Sequence, residues 1–196
     1  MKTEKITTSN NSIFEGPLLI YPKVFNDERG YFYESWNENS FNNCLQEEIK
    51  FVQDNQSSSS LGVLRGLHYQ LKPKQQGKLV RATFGSIYDV IVDLRKSSPT
   101  YGIWAGIELS ANKKNTLWVP DGFAHGFLSL SNNVEVQYKV TKYWDKEFER
   151  SLRWDDPDLS IDWPIKSMAI KSPIISNKDA KAPTLKEIEA REDYFR

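Results

Sequence analysis

The 196-residue chain contains two histidines, and both fall in strand-like surroundings. His68 lies in Leu64-Arg65-Gly66-Leu67-His68-Tyr69-Gln70 and His125 in Pro120-Asp121-Gly122-Phe123-Ala124-His125-Gly126-Phe127. A lone histidine in a strand is ordinarily a hydrogen-bonded core residue, so its neighbours decide what it does. In Val134-Glu135-Val136-Gln137-Tyr138-Lys139-Val140, period-two alternation puts Tyr138 on the face of three valines and turns its hydroxyl inward. Lys78 shares a face with Val80, Ala82 and Phe84 in Lys78–Phe84. A lysine aimed into an apolar interior is costly unless it pairs or serves a ligand, although its place at the start of the run leaves a path for snorkelling to solvent. Arg65 and His68 are three apart and face opposite sides of a regular strand; a bulge at Gly66 brings both to one pocket. Imidazole, ammonium, phenol and guanidinium in one apolar barrel suit proton removal next to a carbonyl. The imidazole takes the proton, the cations hold the developing enolate oxygen, and the phenol returns a proton from the other side.

The elements that must position these groups are short β runs between Val63 and Tyr143. After Lys78–Phe84 come Ile87–Asp93, Ile103–Leu109, Leu117–Val119, Phe123–Leu130 and Val134–Tyr143, separated by polar or Gly/Pro turns. This spacing predicts an all-β sandwich or barrel, and pattern alone does not separate a jelly roll from an immunoglobulin-like sandwich. Ser57–Ser60 reads as a polar loop tract. Asn39–Ile49 predicts a short helix with Phe41, Leu45 and Ile49 on one side. Thr184-Leu185-Lys186-Glu187 is a capping box that opens a terminal helix. No repeat or composition break divides the chain, so one domain over residues 1–196 is expected. Its β core spans about 14–165, followed by a C-terminal segment. Trp104, Trp118, Trp154 and Trp163 read as structural.

Composition narrows the class. With 26 Lys+Arg against 26 Asp+Glu and no long basic block, a duplex nucleic-acid binder is disfavoured. No apolar run approaches the ~20 residues that span a bilayer, and the polar start is not a leader, so no membrane is expected. One cysteine, Cys44, forms no internal disulfide and no cysteine-rich zinc site, which points to the cytoplasm.

Pro120-x-Gly122-x-x-His125 resembles the second motif of cupins, whose histidine commonly binds metal. The stretch matching the first motif reads His68-Tyr69-Gln70 and lacks the second histidine of His-x-His. Two histidines without a supporting carboxylate make a poor transition-metal site. A cupin scaffold without catalytic metal is therefore expected.

Several stretches in order resemble the dTDP-4-dehydrorhamnose 3,5-epimerase family. They are Asp27–Glu34, Phe51–Asn55, Arg65–Gln70, Gln76–Arg81, Asp89–Arg95, Pro120–Phe127, Asp156–Pro164 and Ser176–Asp179, together running from about residue 14 to 185. The resemblance implies a cupin-type jelly roll with a few short peripheral helices. It also implies a homodimer acting without cofactor on a dTDP-linked 4-keto-6-deoxyhexose in dTDP-L-rhamnose biosynthesis. It assigns His68 as base, Asp179 as the acid orienting it, Tyr138 as general acid across the ring, and Lys78 as the cation at the C4 oxyanion. Arg65 and His125 line the same pocket. For the nucleotide it implies Arg29, Phe32, Glu34, Gln53 and Asn55, some reaching across the dimer, with Trp144 and Glu149 as further pocket positions. Without the resemblance, an Arg29–Glu34 surface pair and a core Phe32 are equally good readings.

Three alternatives accompany this expectation. One is a C3-only or C5-only epimerase. Another is a non-catalytic cupin that binds a nucleotide sugar, against which His68, Asp179 and Tyr138 together argue, because a binder needs no base. The third, a metal-dependent oxygenase, is disfavoured by the incomplete His-x-His.

Overall fold

Period-two alternation organises most of the chain. The computed structural model describes residues 1–196 and runs β1 (Lys2–Thr7), β2 (Ile13–Tyr21), β3 (Val24–Asp27), β4 (Gly30–Tyr33), α1 (Glu38–Leu45), β5 (Gln53–Ser59), β6 (Leu64–Gln70) and β7 (Lys78–Phe84). It continues through β8 (Ser86–Asp93), β9 (Trp104–Ser110), β10 (Thr116–Val119), β11 (Phe123–Ser129), β12 (Val134–Val140), β13 (Glu149–Ser151), α2 (Asn177–Ala180) and α3 (Leu185–Ala190). One sheet has the order β1-β2-β10-β7-β12-β5 and the other β13-β6-β11-β8-β9, while β3 and β4 form a separate hairpin. The two larger sheets face each other as a cupin-type jelly roll.

Three apolar layers explain why these strands form. Between the sheets, Val80, Leu117, Val119, Val134 and Val136 meet Ile87, Ile91, Leu109, Phe123 and Phe127; burying each such side chain stabilises the fold by about 1.5–3 kcal/mol. On the outer face of the five-stranded sheet, Leu67, Tyr69, Val90, Val92 and Leu128 are covered by Leu152, Leu159, Trp163, Ile188 and Phe195. On the outer face of the other sheet, Ile20, Leu79 and Trp118 are capped by Phe41 of α1, with Leu45 and Ile49 packed alongside. Burial on both faces is why the central strands read as nearly continuous apolar runs. The tryptophans serve this packing: Trp104 Nε1 donates to the Leu159 carbonyl and Trp163 Nε1 to that of Trp154.

Several expectations need correction. Ser57–Ser60 is not a loop tract, because residues through Ser59 belong to β5, an edge strand paired along its length with β12. Phe84 does not share the inward face of Lys78, Val80 and Ala82. The β7–β12 register shifts between Glu135 and Val136, which reverses the parity at the strand's end and leaves Phe84 exposed. Strand β12 stops at Val140, three residues short of the expected end. Helix α1 begins under an Asn37 cap and ends when Gln46 turns left-handed at φ 55°, so Ile49 reaches its cluster from a loop. The Thr184/Glu187 capping box forms as expected.

Candidate active site

The site is built around a bulge in β6. In the β6–β11 ladder His68 pairs with His125 and Arg65 with Phe127, so Gly66 and Leu67 lie opposite the single residue Gly126. Gly66 has φ +118°, and a Cβ there would stand 2.7 Å from the Gly126 Cα; only glycine fits. The extra residue turns Arg65 and His68 into one cavity of about 580 Å³, which Lys78, His125, Tyr138 and Asp179 also line.

Asp179 comes from α2, whose start is capped by Ser176. Its Oδ1 lies 2.7 Å from His68 Nε2, and Oδ2 accepts the Gly66 amide at 3.4 Å. Burial works against the carboxylate's charge, yet the His68 bond, its attraction and the Gly66 and Ser176 contacts outweigh it and hold Asp179 below the usual range. An ionised Asp179 accepts Nε2–H and leaves the Nδ1 lone pair free to act as a base.

Lys78 lies across the cavity on β7, in the opposite sheet. It is 8% exposed, and Nζ donates to the His68 carbonyl at 3.1 Å, so the ammonium points inward and does not snorkel. Burial pulls its pKa down to about 8, against the pull of Asp89 and Glu149. Tyr138, also from that sheet, has its phenol pushed up by burial, with Arg65 opposing. Arg65 is held at the mouth by the Ser59 hydroxyl and the Ser58 carbonyl.

Sequence reasoning missed Asp89. It is fully buried, and its Oδ2 lies 2.9 Å from His125 Nε2. Burial pushes its pKa up, while His125 and Lys78 pull it back. A carboxylate on the inward face of Ile87-Tyr88-Asp89-Val90-Ile91 was a readable signal, since such a group needs a cationic or hydrogen-bonding partner. Lys178 was missed as well. It lines the cavity and pairs with Glu149 at 2.6 Å.

A second lobe of about 300 Å³ shares His68, Lys78 and Tyr138 and adds Gln53, Asn55, Trp144 and Glu149. Gln53 Nε2 donates to Asn55 Oδ1 at 2.8 Å, and the Trp144 amide donates to Gln53. Burial disfavours charge on Glu149, but Lys178, Trp144 and His68 hold its carboxyl below the usual range. Arg29, Phe32 and Glu34 are not brought to this cavity. They lie on or beside the β3–β4 hairpin, where Arg29 pairs with Asp27, Glu34 accepts from Asn37, and Phe32 is 70% exposed, which rules out the core reading and the Arg29–Glu34 pair. No three His, Cys, Asp or Glu side chains converge as a metal-ligand group.

The chain resembles known proteins along most of its length. A family model described as dTDP-4-dehydrorhamnose 3,5-epimerase matches residues 11–187. The dTDP-4-dehydrorhamnose 3,5-epimerase of Shigella flexneri is 49% identical over 178 residues, covering 91% of this chain and 93% of that protein. The crystal structure of a dTDP-6-deoxy-D-glucose-3,5-epimerase from Legionella pneumophila in complex with dTDP-4-keto-L-rhamnose superposes with a TM-score of 0.89 at 43% identity, covering 100% of this chain and 98% of that one. A 3'-monoepimerase from Streptomyces bikiniensis, solved with dTDP-quinovose, has a TM-score of 0.86 at 31% identity, covering 92% and 89%. With its family model spanning most of the chain and relatives near half identity along nearly their whole length, this chain belongs to the dTDP-4-dehydrorhamnose 3,5-epimerase family.

Proposed function

We propose that this protein inverts C3 and C5 of dTDP-4-dehydro-6-deoxy-D-glucose, giving dTDP-4-dehydro-L-rhamnose for dTDP-L-rhamnose biosynthesis. The observation that carries the reading is the placement of base and acid on opposing sheets. His68 with Asp179 stands on the five-stranded side and Tyr138 on the six-stranded side of one cavity. A sugar held between them loses a proton on one face and receives one on the other, which is inversion. His68 takes the proton next to the C4 carbonyl, and the electron pair moves onto the carbonyl oxygen. Lys78, charged below about pH 8, stabilises that oxyanion. Tyr138, already a phenol at neutral pH and with its pKa raised further by burial, reprotonates the carbon. Solvent then reprotonates the phenolate and takes the proton from His68. No step in this sequence calls on a metal or organic cofactor.

The diphosphate and base fall to the second lobe, with Gln53, Asn55, Trp144 and Glu149. Arg29, Phe32 and Glu34 then act on the cavity of a second copy. An exposed aromatic hairpin with Tyr31 and Phe32 at 62% and 70% exposure supports a homodimer in which β3–β4 crosses to the partner. No helix is long and apolar enough to cross a membrane, and the lone thiol fits a cytoplasmic enzyme.

The test is proton NMR of dTDP-4-keto-6-deoxy-D-glucose with the enzyme in D2O. Loss of both the C3 and C5 signals, with dTDP-L-rhamnose formed on adding a reductase, is expected. Loss at one carbon alone would reassign the enzyme as a single-site epimerase, and binding without exchange would leave a binding module.

A further inference from the structure

We propose that residues 188–196, which lie beyond the stretch matched by the family model, form a strap that positions the active-site edge of the five-stranded sheet, with Asp193 as its positioning residue. The strap lies on the outer face of that sheet. The Phe195 amide donates to the Leu94 carbonyl at 2.9 Å, the Lys96 amide donates to the Phe195 carbonyl at 2.7 Å, and the Phe195 ring is buried against Tyr69. Ile188 is fully buried in the same layer.

From this anchorage Asp193 reaches two strands, each time next to a residue of the cavity. Its backbone carbonyl accepts the Tyr69 hydroxyl at 2.6 Å, and Tyr69 follows His68 on β6. Its carboxylate accepts Arg150 Nε at 2.9 Å, and Arg150 follows Glu149 on β13. The same guanidinium donates to the carbonyls of Glu147 at 2.8 Å and Glu149 at 3.0 Å. Strand β13 is three residues long and pairs only with β6, with Glu149, Arg150 and Ser151 opposite Gln70, Tyr69 and His68. So short an edge strand depends on such tethers for its placement. Alternation carries the effect through the sheet: holding Tyr69 and Arg150 on the outer face fixes where His68 and Glu149 stand on the inner one.

The proposal rests on the epimerase reading, in which Glu149 contacts the substrate and His68 is the base, so the wild-type enzyme is first shown to exchange C3 and C5 protons. Failure of that control removes the epimerase reading; the strap stands or falls on variants of an active enzyme. Asp193→Asn keeps the carbonyl that holds Tyr69 but weakens the bond to Arg150. KM should then rise about 3- to 10-fold with kcat within about twofold, the range that the net worth of one ordinary hydrogen bond converts to, since the Asn oxygen still accepts from Arg150. Tyr69→Phe removes the tether beside the base and should lower kcat with little change in KM. Asp193→Glu, which retains the charge, should recover most of the KM lost in Asp193→Asn. If Asp193→Asn does not fold, Arg150→Gln cuts the same bond from the other side and is read the same way. Unchanged KM and kcat in Asp193→Asn and Tyr69→Phe, or a fall in Tm without this split, would overturn the strap's positioning role and leave it as packing.

Discussion

His68 and His125 stand directly opposite each other in the β6–β11 ladder, yet each is bound to its own carboxylate, Asp179 at 2.7 Å and Asp89 at 2.9 Å. The two pairs differ in exposure. The His68 side chain is 31% exposed to the cavity, while His125 is 9% and Asp89 0% exposed. Proton transfer to a substrate needs the accessible imidazole. The buried pair contributes a fixed polar wall, and its Asp89 faces the Lys78 charge. In the proposed mechanism, one ladder thus separates the histidine assigned as base from one assigned to support it.

His68→Asn is therefore expected to lower proton exchange at C3 and C5 by at least ~10²-fold, the usual worth of a positioned base, while dTDP affinity and the thermal midpoint barely move. Asp179→Asn should also lower exchange, because its amide no longer fixes the imidazole with a free Nδ1. Exchange in D2O, with calorimetric binding of dTDP as the control, measures both. Full activity in His68→Asn would remove the base assignment.

Tyr138→Phe separates abstraction from delivery. Without the phenol, His68 still takes the proton and returns it on the face it came from. Deuterium uptake at C3 is expected to persist, with formation of inverted product down by ~10²-fold or more. Inverted product at the wild-type rate would mean that another group supplies the second proton.

Lys78 is expected to set the alkaline limit of activity. With its pKa drawn down to about 8 by burial, the ammonium is present below that pH and is lost as pH rises through it. A neutral amine cannot balance an enolate oxyanion, so kcat/KM should fall on the alkaline side with an apparent pKa near 8, which belongs to the free enzyme. Lys78→Met should give a far slower enzyme whose pH profile lacks that limb. A limb of the same midpoint in Lys78→Met would assign the titration to another group.

Where inward residues were apolar, the sequence was legible. In β8 and β11, apolar runs around Ile87, Ile91, Phe123 and Phe127, bounded by polar or Gly/Pro turns, marked the strands and the core together. Lys78 and Tyr138 stood out as polar groups on otherwise apolar strand faces, and Gly66 marked the bulge. Legibility failed at β5. Its cavity-facing residues Gln53, Asn55, Ser57 and Ser59 line or border the polar cavity, so the strand carries no apolar stripe and its serines resemble a loop. Strand β1 was hidden for a similar reason: only Ile6 of its six residues is buried. The positions of Arg29, Phe32 and Glu34 depend on an exposed hairpin, a relation that strand periodicity within one chain does not encode. Asp179 reaches His68 across 111 positions, beyond the reach of local pattern, and only the family resemblance pointed to it.

Asp89 offers the sharpest test of what the buried pair is for. Removing one partner strands the other, and breaking a buried, hydrogen-bonded pair costs about 3–5 kcal/mol. Asp89→Val should therefore lower unfolding stability by an amount in that range, read from urea denaturation with an unchanged m-value. Replacing both members with apolar residues of similar size is often neutral. The double variant Asp89→Val, His125→Phe is thus expected to regain most of that stability, since its neighbours Ile87, Ile91, Phe123 and Phe127 already form the apolar core. It should not regain activity, because Lys78 then loses the carboxylate that favours its charge and the cavity loses a hydrogen-bonding wall. A double variant as unstable as the single one would make the pair a structural requirement of the barrel. Recovered stability without recovered exchange would show that the pair is kept for the electrostatics of the site, at some expense to the core it interrupts.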